Sequence, residues 1–522
     1  MLRAFLYFFK KQVVYLAAFY LLFFSTVSKG QFPRLQIGTE KISYKIKDTD
    51  QQILSVCSDI GTTRIFHNTE DNEIIISIED LTPASMVPLC IQKQKNGITW
   101  EEDIILMTRS LSSGEIKVFF NKPVDSTFRK NDYKPHGTEF GVLQAELRNL
   151  IRRAKNTIDV AAYNVNELFF VNELIDAHNR GIRVRYITDD ETSNTGLSSG
   201  VPFPVLRGNT GEGLMHNKFI VVDENSIDES WVVMGSMNFT SNQMRRDPNH
   251  LIFIQDQALA KAYVSEFEEM WGGDGALPNF SKSRFGNQKI RNTPTNFVIG
   301  NIPVELYFSP SDQTTARIAS ALESGGETML LALMIFTNWE LRDKVVSKTM
   351  SGVNTRWIVD DFDNSGQVMA AVQSAGGQVI IHSHPDIFHH KYALLDDESD
   401  NPVLITGSHN WTFSAETRND ENTIIFHDKG LANIFRQDYE ARWQELVTST
   451  KEIDEKEIFV YPNPSSGEFY FSKPVNKVVV RDIHGRIVFF LANKITSFQS
   501  ELSPGIYFCQ ADNKMIKIIV QR

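Results

Sequence analysis

At 522 residues the chain is too long for one compact core, and 42% hydrophobic with 22% charged residues is an ordinary globular balance, so several folded domains are expected. A formal charge of -11 excludes a general nucleic-acid coat, which needs a positive surface, and leaves room only for a local basic cleft. No two of the three cysteines have metal-site spacing; Cys57 and Cys90 share one β-rich stretch and are candidates for a disulfide, while Cys509 stands far off in GIYFCQ.

Residues 1–30 read as a secretory signal. Arg3, Lys10 and Lys11 precede an apolar stretch from Val13 to Phe24, and the small residues Ser28 and Gly30 offer a cleavage site. The clean apolar run is shorter than the ~20 residues of a membrane span; an uncleaved anchor is the alternative, since apolar residues begin at Leu2. Cleavage removes four positive charges and leaves -15. Residues 31–110 alternate apolar and polar, as in KISYKI and NEIIISIEDLTP, which predicts short antiparallel strands in a small β-sandwich.

Helix and strand then alternate over residues 111–275 and again over 303–447, with a linker at 276–302. FGVLQAELRNLIRRAK has helical spacing, TIDVAAY reads as a strand, NELFFVNELIDAHNRG as a helix stopped by glycine, and IRVRYITDD as a buried strand. The second block answers with TARIASALESG, ETMLLALMIF, NWELRDKVVSKTMSG and VNTRWIVDD. The same order twice predicts a duplicated α/β unit with a largely parallel sheet. After a second linker, 448–457, residues 458–522 return to alternating strands split by Pro and Gly turns, predicting a second β-sandwich.

The two α/β blocks carry matching chemistry. GLMHNKFIVVD (213–223) returns as DIFHHKYALLD (386–396). Side chains two apart on a strand share a face, so His216 goes with Lys218 and His389 with Lys391. Downstream, a strand ends in GSMN (235–238) in one block and GSHN (407–410) in the other. Brought together by a pseudo-twofold, two lysines with Ser236, Asn238, Ser408 and Asn410 could hold a phosphate from several sides. One imidazole would attack phosphorus and the other protonate the leaving oxygen. A single His-Lys-Asp spacing is a weak signal; two copies, each followed by Gly, Ser and Asn at nearly equal distance, form a specific one.

On these residues the region 111–447 resembles the phospholipase D superfamily, whose signature is HxKx4D followed by GSxN in two copies. The resemblance implies phosphodiester cleavage through a covalent phosphohistidine, with no metal or other cofactor. It makes His216, Lys218, Asp223, His389, Lys391 and Asp396 the candidate catalytic set, with Asp223 and Asp396 closer to a structural role than to carrying protons. The family also carries an N-x-E acid after GSxN that orients a histidine. Asn419, Asp420 and Glu421 supply it in the second block, whereas the first reads RRDPNHLIF, so that Asp247 is the substitute candidate for His216. Two-copy members favour His216 as nucleophile and His389 as general acid, and the Glu421 asymmetry leaves the reverse assignment open. His250, His382, His384, His390, His409 and His427 are read as ordinary surface or core histidines.

Residues 31–110 resemble fibronectin type III-like modules through PRLQIGTEKISYKI and EDLTPAS. Residues 458–522 resemble the C-terminal sorting domain of the type IX secretion system of Bacteroidetes, with YPNP at the start and GIYF in a strand. That implies the type IX machinery as a partner and a location outside the cell or on its surface. The short αβ units without long insertions resemble nuclease-like members, which makes nucleic acid the preferred substrate. A phospholipase or phosphatidyl transferase and a catalytically dead phosphate-binding protein are the alternatives. Two intact halves in one chain make a monomer sufficient for a complete site.

Overall fold

The computed structural model describes residues 34–47, 52–68, 73–208, 211, 213–360, 365–383, 385–452, 458, 460–512 and 514–521. The export signal expected over residues 1–30 and His384 lie outside the described residues. The chain divides into two compact units, residues 1–443 and 444–522.

The first unit opens with two antiparallel sheets. One orders its strands Leu35–Ile37, Ile42–Lys47, Glu73–Glu79, Thr62–Asn68; the other, Gln52–Cys57, Met86–Lys95, Ile98–Met107. Alternation sends Val87, Leu89 and Ile91 of one and Ile42, Ile76 and Ile78 of the other into a shared core. Cys57 stands directly opposite Cys90 across the strand pair; both thiols are free, and Cys57 Sγ donates to the Cys90 carbonyl at 3.7 Å.

The duplicated α/β unit follows. The first half has a seven-stranded sheet, ordered Val205–Gly208, Arg183–Asp189, Thr157–Ala162, Lys218–Val222, Trp231–Gly235, His250–Gln255, Ile116–Phe120. The second half repeats this as Gln378–His382, Asn354–Asp360, Thr328–Leu333, Lys391–Leu395, Val403–Gly407, Glu421–Phe426, Ile302–Ser309, and adds Asn296–Ile299 at the edge. Helices cover each sheet with one apolar face: Leu143, Leu147, Leu150 and Ile151 of Phe140–Arg153 in the first half, Ile318 and Leu322 of Thr314–Ser324 in the second.

Two expectations need correction. The sheets are mixed, not largely parallel: only two neighbouring pairs in each are parallel, those around Arg183–Asp189 and Asn354–Asp360. Long crossovers join those strands, whereas short turns reverse the chain directly after Lys218–Val222 and Lys391–Leu395 and so pair them antiparallel with the next strand. The segment 276–302 is also not all linker, because FVIGNIPV folds into a hairpin turning at Gly300, at φ +58°.

The second unit carries five strands joined in one antiparallel path among the described residues. Its long strand Glu468–Arg481 pairs Val460–Tyr461 near its start, Gly505–Ala511 at its end and Ile487–Gln499 along its length. Register shifts after Tyr470, Val475 and Val480 accompany this exchange of partners, and Phe469, Phe471, Val480, Phe498 and Ile518 share the core.

Candidate active site

Each histidine sits just before the central strand of its half, where loop and sheet meet. The approach is held by a carboxylate at the end of the strand two places across the sheet: Asp189 accepts the Met215 N–H at 2.9 Å, and Asp360 accepts the Phe388 N–H. These two residues were not singled out from the sequence, although the repeated ITDD and IVDD strand ends carry the signal.

The halves then interlock. His216 N–H donates to the Asp420 carbonyl at 3.0 Å, and His389 N–H to the Pro248 carbonyl at 3.1 Å, so each histidine is docked on the segment after GSxN of the opposite half. Side chains follow the backbone. His216 Nδ1 lies 2.7 Å from Glu421 Oε2, whose other oxygen accepts from Asn419 Nδ2 at 3.1 Å. His389 Nδ1 lies 3.0 Å from the Ser236 carbonyl and 3.1 Å from Asn249 Oδ1. Since every one of these partners accepts, both Nδ1 atoms carry the proton and both Nε2 lone pairs are left for chemistry.

This reverses the expectation about Asp247. His216 does have its carboxylate, from across the pseudo-twofold, and among the described residues none pairs with His389. Asp247 is directed elsewhere, its Oδ1 accepting the Ile387 N–H at 3.0 Å and so steadying the chain before His389. An amide at position 249 suits its surroundings, because Nδ2 donates to the carbonyls of Asp247 and Gln243 at 3.1 and 3.4 Å, where a carboxylate would meet like charge.

The lysines are buried beside the imidazoles. Lys218 Nζ donates to the His216 carbonyl at 2.7 Å. Lys391 Nζ donates to the His389 carbonyl at 3.1 Å and lies 3.3 and 3.5 Å from that ring's nitrogens. The halves differ here too: Tyr163 packs edge-on to His216 with 4.9 Å between centroids, whereas Met334 Sδ is 3.5 Å from Lys391 Nζ at the matching strand end. Neither Tyr163 nor Met334 was expected at the site; both directly follow the first inner strand of their half.

Asp223 and Asp396 stand at the far end of the strands that the lysines begin. Asp223 accepts the N–H groups of Lys155, Asn156 and Thr157 at 2.7–2.8 Å, and Asp396 those of Gly326, Glu327 and Thr328 at 2.7–2.9 Å. Five strand residues separate them from the histidine end by roughly 15 Å, which removes them from the groups that converge on the cleft. Their placement in the candidate catalytic set is therefore corrected to the structural role.

GSxN divides in the same way. A Cβ at Gly235 would come within 2.4 Å of the His250 carbonyl oxygen, and one at Gly407 within 2.2 Å of the Asn422 carbonyl oxygen, so only glycine allows these strands to close on their neighbours. Ser236 Oγ donates to Asn249 Oδ1 at 2.9 Å, and Ser408 Oγ accepts the Asn422 N–H at 3.0 Å. These fully buried hydroxyls fasten the turn to the next strand rather than reaching a phosphate, which corrects their assignment as phosphate ligands. Asn238 and Asn410 differ: the side-chain oxygen of each is buried without a partner among the described residues.

Burial dominates the electrostatics. It pushes His216 down to about 4, against the pull of Glu421, and Lys218 down to about 7. His389 and Lys391 fall well below their ordinary values, through burial first and then the neighbouring lysines. Burial works against the ionised Glu421 as well, yet His216 and Lys218 hold its carboxyl below the usual value. The resting pair is thus a carboxylate beside a neutral imidazole. Two histidines read as ordinary, His250 and His390, stack behind His389 with Nδ1 atoms 3.1 Å apart, and His250 also lies 3.1 Å from Ser236 Oγ. The compact cluster of metal-ligating types among the described residues, Cys90, Glu101 and Asp103, is on the N-terminal sheets and not at the histidines.

A family model described as cardiolipin synthase, PLD-like domain, matches residues 147–271 and again 318–443; one described as a secretion system C-terminal sorting domain matches 459–521. Among curated proteins, the mitochondrial cardiolipin hydrolase of Mus musculus is 32% identical over 138 residues, which are 26% of this chain and 61% of that protein. A phospholipase D of Rickettsia felis is 29% identical over 125 residues, 23% of this chain and 60% of that protein. The chain therefore spans less than two thirds of the length of these relatives. Among solved structures, Nuc of Salmonella typhimurium, a phospholipase D family member, aligns with 26% identity and a TM-score of 0.25 over 27% of this chain and 93% of its own. The chain thus carries two copies of a PLD-like domain followed by a secretion system C-terminal sorting domain, which indicates export through the type IX secretion system to the cell surface or outside.

Proposed function

We propose that this protein is a metal-independent phosphodiesterase that hydrolyses nucleic-acid phosphodiester bonds outside the cell, with His216 as nucleophile and His389 as general acid. The observation that carries the reading is the pair of neutral imidazoles whose Nδ1 atoms are committed to partners across the halves, leaving both Nε2 atoms beside two buried lysines. Glu421 makes His216 the better nucleophile, because a carboxylate on Nδ1–H stabilises positive charge gained on the ring. Asn249 and a backbone carbonyl give His389 no such support, so its imidazolium surrenders a proton readily.

An incoming phosphodiester supplies the negative charge that the buried cations lack, favouring protonated Lys218, Lys391 and His389 in the complex. His216 Nε2 attacks phosphorus, the P–N bond forms as the P–O bond breaks, and His389 protonates the departing oxygen. The now neutral His389 takes a proton from water, whose oxygen attacks phosphorus; the P–N bond breaks and His216 is restored. Asn238 and Asn410 are the side chains free to hold the non-bridging oxygens after amide reorientation. Both halves lie in one chain, so a monomer suffices.

Nucleic acid is preferred over lipid because the αβ units are short and carry no long insertion. The names of the curated relatives, cardiolipin hydrolase and phospholipase D, favour a phospholipid headgroup as the second reading. The deciding experiment incubates the secreted chain, His216→Asn and His389→Asn in EDTA with plasmid DNA, single-stranded DNA, RNA, and cardiolipin and phosphatidylcholine vesicles. Nucleic acid cut by wild type and by neither variant is the expected result. Headgroup release alone moves the substrate to lipid, and reaction with none of these substrates defeats the enzymatic reading.

A further inference from the structure

Away from the histidines, a cavity of about 430 Å³ opens between the N-terminal sheets and the second half. Its walls come from sequence-distant pieces: Arg34 and Tyr44 from the first strands, Arg291 from the segment between the halves, Tyr307 from the strand Ile302–Ser309 and Arg317 from the helix Thr314–Ser324. Elsewhere in this acidic chain the buried Arg185 is matched to Asp159 at 2.6 Å and the half-buried Arg436 to Asp397 at 2.8 Å. Among the described residues Arg34, Arg291 and Arg317 make no ion pair, and Arg317 Nε is buried without any hydrogen-bond partner.

The two carboxylates on the wall are bonded to other partners, although Arg317 is near enough to help hold Glu305 ionised. Glu102 is paired with Lys93. Glu305 is held by His427 Nε2 at 2.9 Å and by the Tyr307 hydroxyl. Asp312, behind the wall and within the field of Arg291 and Arg317, accepts the Phe308 N–H at 2.9 Å and is pushed toward its neutral form by burial. Three guanidinium groups therefore line the space, outnumbering the two wall carboxylates and forming no direct ion pair with either among the described residues. Tyr307 lies under Arg317 with 5.6 Å from the guanidinium to the ring centre, and Tyr44 is close enough to feel both Arg34 and Arg291.

We infer that this cavity is a second anion site, separate from the cleft between the histidines, which takes a phosphate group through Arg34, Arg291 and Arg317. Guanidinium forks match phosphate oxygens in pairs, and the volume admits more than one phosphate. The group comes either from a free phosphorylated solute or from a nucleic-acid strand. A strand is within reach, since Ser309 pairs with Glu421 and Glu305 is four residues further along the same strand, roughly 13 Å. The site does not depend on the chemistry proposed for His216.

Hydrogen exchange of the full secreted chain with millimolar pyrophosphate separates the two sites, because the peptides are different. The expected result is slowed exchange over residues 34–46 and 291–307 in wild type and in His216→Asn, with about tenfold weaker binding or more in Arg34→Ala/Arg291→Ala. Both replaced side chains are exposed, so an unchanged melting temperature certifies folding; Arg64→Ala, which removes an exposed arginine paired with Glu79, leaves the protection intact. A twelve-nucleotide single strand added to His216→Asn identifies the source. Protection by the strand that the double variant loses assigns a nucleic acid, and protection by pyrophosphate alone assigns a free solute. No protection of these peptides by either probe, or protection that survives the double variant, overturns the inference; changes confined to residues 214–218 and 387–391 report the cleft and not this cavity.

Discussion

Asn249 shows how much a single position governs. It occupies the place that Glu421 holds in the other half, and its partner is His389, whose imidazolium is therefore supported by an amide and a carbonyl alone. Asn249→Asp would add a carboxylate at the same reach, raise the basicity of His389 and move the alkaline limb of the kcat/KM profile upward by about one pH unit. It would also set an anion against two carbonyls, at a cost of about 1–3 kcal/mol in stability. A profile that does not move, in a protein that is folded, removes His389 from the role of acid. The motif residues were legible because their spacing repeats. Which carboxylate serves which histidine was not, because spacing along the chain carries no record of what meets across a pseudo-twofold. Read within one half, RRDPNH suggests Asp247 as a partner for His216; in space it is Asn249 that counts, and for the other histidine.

Element by element, the strands from Lys218 and Lys391 end in aspartates that tie loops to the sheet. Asp223 is buried, while Asp396 is half-open to water that can replace it. Asp223→Ala is expected to cost about 3 kcal/mol and Asp396→Ala about 1, by chemical denaturation, with little loss of turnover per folded molecule. A variant of Asp223 that is stable yet inactive would return this residue to the chemistry. The helices were legible from apolar periodicity, and Gly235 and Gly407 from their place in the motif. The mixed sheet was not, since buried strands look alike in composition whether they run parallel or antiparallel, and only the lengths of their connections betray the direction.

For the molecule as a whole, burying so many basic groups makes acidity a threat. His216 takes up its proton near 6.5 when unfolded and near 4 when folded, so between these values the unfolded chain binds a proton that the folded one refuses. His250 and His409, pushed by burial to about 3 and about 4, act in the same direction. The stability each gives is complete above pH 6.5 and is lost as pH falls toward 4, or toward 3 for His250. The melting temperature is expected to drop across that window, and replacing His216 with Asn to flatten the loss by on the order of 3 kcal/mol. An equally steep decline in the variant would place the acid sensitivity elsewhere.

The exchange of partners between the halves has a genetic consequence. A duplication ordinarily leaves a spare copy, free to decay while the other works. Here neither copy is a spare: His216 rests on residues 420 and 421, and His389 on residues 248 and 249. A lesion in either segment disables the histidine of the opposite half, so the two repeats must be kept together even as they drift apart in detail. Their differences, Glu421 against Asn249 and Tyr163 against Met334, are the divergence such mutual dependence permits, a division of labour without independence.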